Sequence, residues 1–122
     1  MTESTPVILL LDYNRRNLEL LSQFLSQQGY QAIATANLEE FDQILTSSSA
    51  IDLALIDISG FNQQIWDSCE KLRNQGICFL VISPRQSAAI QQESVTHGAR
   101  NMFVKPLVLQ EFLGVIRSLV GR

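Results

Sequence analysis

Four polar side chains each follow a short apolar run in the sequence, and their types suit phosphoryl chemistry. The runs and the residues that end them are Val7–Leu11 with Asp12, Leu53–Ile56 with Asp57, Phe79–Ile82 with Ser83, and Met102–Val104 with Lys105. A charge at the exit of a buried segment costs free energy unless another group pairs with it. Two acids, a hydroxyl and an ammonium in one place would suit a cation and a transferred phosphoryl group.

The four polar positions converge if the apolar runs are parallel strands of one sheet. Short apolar runs without Gly or Pro are typical of strands that are buried on both faces. In an open α/β sheet, ligands sit outside the carboxyl ends of the strands. We therefore expect the four polar residues to share one edge of the sheet.

The segments between the strands predict helices, and the predicted elements alternate. Strands are expected at Val7–Leu11, Gln31–Thr35, Leu53–Ile56, Cys78–Ile82 and Asn101–Val104, and helices at Arg15–Gln28, from Leu38 to the serines at 47–49, and at Gln64–Gln75, Ser87–Thr96 and Leu109–Val120. This alternation with short loops predicts a doubly wound α/β fold. We expect a five-stranded parallel sheet in the order 2-1-3-4-5, with helices on both faces, as in flavodoxin-like proteins.

Capping residues and apolar spacing support most of these helices. Asn14 precedes the first helix, and Asn37 with Glu40 has the spacing of a capping box before the second. The last helix has the clearest apolar pattern, at Leu109, Phe112, Leu113, Ile116 and Val120. The fourth helix has only a weak apolar face, formed by Ala88, Gln91 or Gln92, and Val95.

Length and composition predict one cytoplasmic domain. The 122 residues fit a single domain, 1–122, with Met1–Pro6 as a loose lead-in that is too polar for a signal peptide. The net charge of −3 argues against a nucleic-acid surface, and the longest apolar run is far too short to span a membrane. Cys69 and Cys78 lie on different elements without metal-type spacing, as expected of free thiols in a reducing compartment.

With these residues in place, the chain resembles the CheY-like receiver domains of response regulators in two-component signalling. The likeness extends from Val7 to Leu119 and is carried by the stretches VILLLDYN, DLALIDI, FLVIS, HGA and FVKPL. Only their joint spacing is specific. The resemblance implies that Asp57 accepts a phosphoryl group from a histidine kinase or a phosphotransfer protein, while Ser83 and Lys105 contact the phosphoryl oxygens. It also implies a signalling protein rather than an enzyme.

The resemblance further implies a Mg²⁺ site formed by Asp12, Asp57 and the backbone carbonyl of Ser59. In the family, an acidic pair follows the first strand, and its second member contacts the metal. Here the pair is Asp12-Tyr13. We therefore expect a weak or absent Mg²⁺ site. Tyr13 is either an inert surface ring, or its phenol fills the space that the ion would take.

Other departures from the family pattern keep a second reading open. The loop Ser59–Gln64 lacks the usual Pro and Asp-Gly pair, Pro84 follows Ser83 directly, and Met102 stands where an aromatic residue is common. The alternative is a pseudo-receiver that does not use phosphate and serves as a protein-interaction or dimerisation module. A flavin-binding electron carrier, of the same strand order, is disfavoured because the loop DYNRRN has no glycine.

The resemblance also indicates where signals leave the domain. The fourth helix, fifth strand and fifth helix form the exchange surface in many receivers, which implies contacts at Gln91, Arg100, Met102, Gln110 and Arg117. The partner would be a downstream protein, an attached output domain or a second copy of the chain, without direct nucleic-acid or membrane contact. His97 is expected to be a helix-end residue and Trp66 a packing residue rather than ligands.

Overall fold

The computed structural model of the chain describes residues 5–47 and 50–120. Part of the expected lead-in Met1–Pro6 and the serines at 48–49 lie outside the described residues. The strands are β1 Val7–Leu11, β2 Gln31–Thr35, β3 Leu53–Asp57, β4 Phe79–Ser83 and β5 Asn101–Val104, and the helices are α1 Arg15–Gln27, α2 Leu38–Ser47, α3 Gln64–Asn74, α4 Ala88–Thr96 and α5 Leu109–Val120. Strands and helices alternate as predicted.

The sheet is parallel, and its order confirms the predicted fold. The order is β2-β1-β3-β4-β5, and every neighbouring pair is parallel. Leu11 pairs with Ile56, so the following residues, Asp12 and Asp57, leave the sheet at the same level. This register follows from burial on both faces, because a slip by one residue would exchange the two buried faces of a strand.

Two apolar cores lie on opposite faces of the sheet. Alternate residues of the central strands, such as Leu10 and Leu55, pack with α1 and α5 on one face. Their neighbours, such as Leu9 and Ile56, pack with α2 and α3 on the other face. Because successive side chains point to opposite faces, the position of a residue in its strand decides which layer it faces.

The predicted helix starts are confirmed by their caps. The Asn14 side chain accepts a hydrogen bond from the Asn17 N–H at 3.0 Å, and Asn37 accepts one from the Glu40 N–H at 2.8 Å. Glu40 reaches back to the Ala36 N–H at 2.8 Å. These bonds satisfy amides that have no partner inside the helix.

The structure differs from the sequence predictions in several details. Strand β3 includes Asp57, and α1, α3 and α4 are each one residue shorter than expected. Strand β4 runs from Phe79 to Ser83, one residue later than expected. The apolar face assigned to α4 is wrong, because Val95 is 68% exposed and the buried residue of that helix is Ser94, which donates to the Ile90 carbonyl. Leu109, the first residue of the α5 pattern, is half exposed.

Within the described ranges, no helix is long and apolar enough to cross a membrane.

Helices α3 and α4 are joined by a polar and aromatic cluster that the sequence did not indicate. The Trp66 ring is buried, as predicted, and stacks on His97 with centroids 5.5 Å apart. His97 Nδ1 lies 2.7 Å from Glu70 Oε2, and Nε2 lies 3.2 Å from Glu93 Oε2. His97 therefore ties the C-terminal end of α4 to α3, a role beyond the helix-end position expected for it.

Candidate functional site

Asp57 and Lys105 form a close ion pair at the carboxyl edge of the sheet. Lys105 Nζ lies 2.5 Å from Asp57 Oδ2, and the other carboxylate oxygen accepts the Ser59 N–H at 2.9 Å. Asp57 is 3% exposed. The ammonium and the amide compensate for the cost of burying the carboxylate. The peptide bond between Lys105 and Pro106 is cis.

Asp12 is the second buried acid at this edge. It is 5% exposed, and its Oδ1 accepts the Asn14 N–H at 2.8 Å. Burial raises the pKa of Asp12 to about 6 and is the largest effect on it. The Asn14 amide and Lys105 act in the opposite direction, whereas the neighbouring Asp57 carboxylate raises the pKa further.

This raised pKa predicts that Asp12 destabilises the fold at neutral pH. The folded-state pKa lies above the ordinary value of 3.8, so the folded chain retains a proton that the unfolded chain loses. Stability attributable to Asp12 is therefore complete below pH 3.8 and is lost as the pH rises to about 6. In EDTA, we expect Asp12→Asn to raise the Tm by a few degrees at about pH 7.5 and to add little at about pH 4. Thermal unfolding of both proteins at the two pH values tests this, and a lower Tm for the variant at the higher pH would contradict it.

The structure places Ser83 at the same edge but turns its hydroxyl away from Asp57. Side chains alternate along β4, so Ser83 lies on the same face of the sheet as Phe79 and Val81. By the same alternation in β3, Asp57 lies on the other face, with Leu53 and Leu55. Its Oγ donates to the Arg85 carbonyl at 2.7 Å. The expected phosphoryl contact of Ser83 therefore stays a prediction and requires a rotation of this hydroxyl.

Tyr13 lies across the loop that follows Asp57. Tyr13 is 67% exposed. A Cβ atom added to Gly60 would have carbons of the Tyr13 ring as its nearest neighbours. The Tyr13 ring also meets the Phe61 ring edge-on, with the ring centroids 6.1 Å apart. The ring is therefore exposed, as in the first of the two alternatives above, but it is not inert, because it packs on Gly60 and Phe61 and also lines the cavity beside Asp12 and Ser59. That ring contacts the loop on one side and solvent on the other.

The oxygen donors beside Tyr13 fit a weakly held Mg²⁺ ion. A cavity of about 230 Å³ lies between Asp12, Tyr13, Ser59 and Lys105, and the Ser59 hydroxyl is buried without a hydrogen-bond partner among the described residues. In the described ranges, no cluster of three or more His, Cys, Asp or Glu side chains could hold a metal. Mg²⁺ is commonly held by one or two carboxylates and completed by water. Asp12, Asp57 and the Ser59 carbonyl would supply the protein ligands.

An apolar groove that the sequence analysis missed opens beside the acidic edge. A cavity of about 530 Å³ has Asp12, Asp57 and Lys105 at one end, and its walls are the apolar side chains of Leu20, Leu21, Phe24, Leu107 and Leu109. Leu20 and Leu109 are each about half exposed, at 48% and 49%. The available signals were Leu107, which directly follows Lys105-Pro106, and Leu109, which the helical pattern had assigned to the core.

The expected exchange surface is only partly assembled. Gln91, Arg100 and Met102 line one cavity of about 250 Å³ between α4 and β5. Gln110 is exposed and does not line it. Arg117 donates to the Gln28 side chain at 3.3 Å and so faces the end of α1.

Comparison with known proteins agrees with this fold. No family model matches the chain. The chain is 30% identical over 118 residues to the response regulator MprA of Mycobacterium avium, covering 94% of this chain and 51% of that protein. It therefore spans about half the length of the curated relatives it matches.

Two solved structures have the same architecture. A CheY-like receiver domain protein from Methanospirillum hungatei superimposes with a TM-score of 0.87 at 22% identity, covering 97% of this chain and 95% of that one. A two-component response regulator from Clostridium difficile gives 0.88 at 22% identity, covering 97% and 98%. At this identity the likeness establishes the fold.

Proposed function

We propose, from the premise that this chain is a receiver domain of the CheY-like response-regulator kind, that it accepts a phosphoryl group on Asp57 and signals through protein contacts. The observation that carries the proposal is the buried Asp57 carboxylate held by Lys105 at 2.5 Å, beside a second buried acid. A carboxylate is an established nucleophile for phosphoryl transfer. The donor would be a phosphohistidine of a histidine kinase or phosphotransfer protein.

The transfer would exchange one bond for another at phosphorus. An Asp57 oxygen forms a P–O bond as the P–N bond to the donor histidine breaks, and the electron pair of the P–N bond stays on the histidine nitrogen. Lys105 and the Ser59 N–H already contact the carboxylate and are placed to meet negative charge on the phosphoryl oxygens. The domain thus acts as an acceptor in a relay rather than as an enzyme with its own turnover.

Mg²⁺ is proposed as a weak cofactor of this site. It would neutralise charge between the phosphoryl oxygens and the two carboxylates. Asp12, Asp57 and the Ser59 carbonyl would hold it, and Lys105 already supplies positive charge next to the acceptor.

The apolar groove gives a protein donor a place to dock. Apolar side chains line the same cavity as Asp57 and Lys105. A partner helix packed there would exclude water from the reacting groups, which strengthens their electrostatic interactions. We propose that the phosphohistidine donor binds in this groove.

We also propose that the protein works in the cytoplasm.

A small donor tests the proposal without a kinase. Phosphoramidate contains the P–N bond of a phosphohistidine, so with Mg²⁺ it should add one phosphoryl group to the chain, measured by intact-protein mass spectrometry. An adduct that disappears at alkaline pH, as expected of an acyl phosphate, supports acceptance. No adduct, under conditions that modify an ordinary receiver, supports the pseudo-receiver.

The pseudo-receiver remains the second candidate because of two observations. Position 13, where the resemblance implies an acidic metal ligand, is occupied by Tyr13, and the Ser83 hydroxyl donates to the Arg85 carbonyl. In that case the domain would act as a docking or dimerising module, and its partners would bind equally well with and without a phosphodonor.

The proposed exchange surface can be tested by charge reversal. Arg100 is exposed and lines the cavity between α4 and β5 together with Gln91 and Met102. We expect Arg100→Glu to change self-association or partner binding about tenfold, because a reversed charge at an interface disturbs the electrostatic complementarity of the two surfaces. Arg117→Glu makes the same change of charge at the other arginine of the expected surface, next to Gln28 at the end of α1, and is expected to alter binding as well. Sedimentation or titration calorimetry measures the effect, and unchanged behaviour in both variants would place the interface elsewhere.

A further inference from the structure

The side chain of Tyr13 connects two separate loops at the acidic edge. One is the turn after β1, which contains Tyr13, and the other is the acceptor loop, which we define as Ile58–Phe61. A Cβ placed on Gly60 would lie 3.3 Å from Tyr13 Cδ2 and 3.4 Å from Cγ. The rings of Tyr13 and Phe61 meet at 84° with centroids 6.1 Å apart. This edge-to-face arrangement is a favourable geometry for aromatic pairs.

The acceptor loop is in turn bonded to the reacting carboxylate. Phe61 N–H donates to the Ile58 carbonyl at 3.2 Å, which closes a β-turn with Gly60 at its third position. Gly60 has φ +83°, a conformation that suits glycine in such turns. The Ser59 N–H, inside the same turn, donates to Asp57 Oδ1 at 2.9 Å. The contacts therefore run from Tyr13 through Gly60 and Ser59 to Asp57.

We infer that Tyr13 is a positioning residue whose ring holds the acceptor loop around Asp57 without a metal ion. A carboxylate at position 13 would link the two loops through a shared cation or a hydrogen bond, and it would add negative charge. An aromatic ring links them directly by packing on Gly60 and Phe61, and it adds no negative charge beside Asp12 and Asp57. Its effect on the reaction rests on the proposed phosphoryl acceptance, whereas the order of the loop does not.

Amide hydrogen exchange of Ser59 and Phe61, whose N–H groups donate to Asp57 and to the Ile58 carbonyl, tests the inference when it is measured without phosphodonor. We expect wild type and Tyr13→Phe to protect these amides equally in EDTA and in Mg²⁺, because both retain the ring. Tyr13→Ala should exchange about tenfold faster in EDTA, since the turn then opens locally. Val95→Ala is the matched control, because it also truncates an apolar side chain that is mostly exposed, at 68%.

The outcomes separate this inference from the proposed function. Wild-type exchange rates in Tyr13→Ala, or fast exchange in Tyr13→Phe, would overturn the role of the ring. Strong protection of the wild-type loop only when Mg²⁺ is added would overturn its independence of metal. The rate of phosphoryl uptake from phosphoramidate is measured separately. Tyr13→Phe should keep the maximal rate of the wild type, whereas Tyr13→Ala should be slower. Protected amides without any uptake would contradict the proposed function while supporting the loop role.

Discussion

Replacing Asp57 by Asn is expected to abolish phosphoryl uptake completely. The amide oxygen of Asn is a poor nucleophile, and Asn at this position also lacks the charge that pairs with Lys105. The fold should persist, because the Lys105 side chain is 31% exposed and water can solvate its ammonium. We therefore expect no adduct from phosphoramidate in Asp57→Asn, measured by mass spectrometry on protein whose cooperative unfolding is intact.

Asp52→Asn is the matched control for this experiment. Asp52 precedes the same strand, at its other end, where it is exposed and accepts the Val7 N–H at 2.7 Å. The variant makes the same chemical change far from the acidic edge, so it should take up phosphoryl groups as wild type does. An adduct that persists in Asp57→Asn would show that another residue is the acceptor.

Tyr13→Asp is expected to raise the affinity for Mg²⁺ by about tenfold or more. A unit negative charge about 4 Å from a divalent cation contributes about 2 kcal/mol even at the dielectric constant of water, and 1.4 kcal/mol corresponds to a tenfold change in affinity. The ring is also lost, so the acceptor loop should become ordered only when Mg²⁺ is bound. Amide shifts of Asn14 and Ser59 during a Mg²⁺ titration measure both effects.

Amide shifts are preferable to tryptophan fluorescence in this titration. Trp66 is buried and stacked on His97 between α3 and α4, and it does not line the cavity beside Asp12 and Ser59, so its emission would report on the Mg²⁺ site only indirectly. Tyr13→Asn is the control, since it removes the ring and adds no charge. If wild type binds Mg²⁺ as tightly as Tyr13→Asp, the ligand role assigned to position 13 is wrong. If Tyr13→Asp binds Mg²⁺ but refuses phosphate, the block lies in the loop Ser59–Gln64 or at Pro84.

The sequence by itself determined the sheet, its order and the residues at its edge. Apolar runs such as Leu53–Ile56 predict strands because burial on both faces leaves no room for polar side chains. The polar residue after each run then falls at the carboxyl edge, which is why Asp12, Asp57 and Lys105 were found together as expected. Local signals such as the Asn14 cap also sufficed, since cap and helix are adjacent in the chain.

Contacts between distant segments were decided only by the tertiary structure. The Tyr13 ring rests on Gly60, and Arg117 reaches Gln28. Neither contact follows from periodicity, because a side chain with several rotamers chooses among neighbours that only the packed fold supplies. The predicted apolar face of α4 was wrong for the same reason. A helix of such mixed composition takes its orientation from tertiary packing, which buries Ser94 and leaves Val95 exposed to solvent.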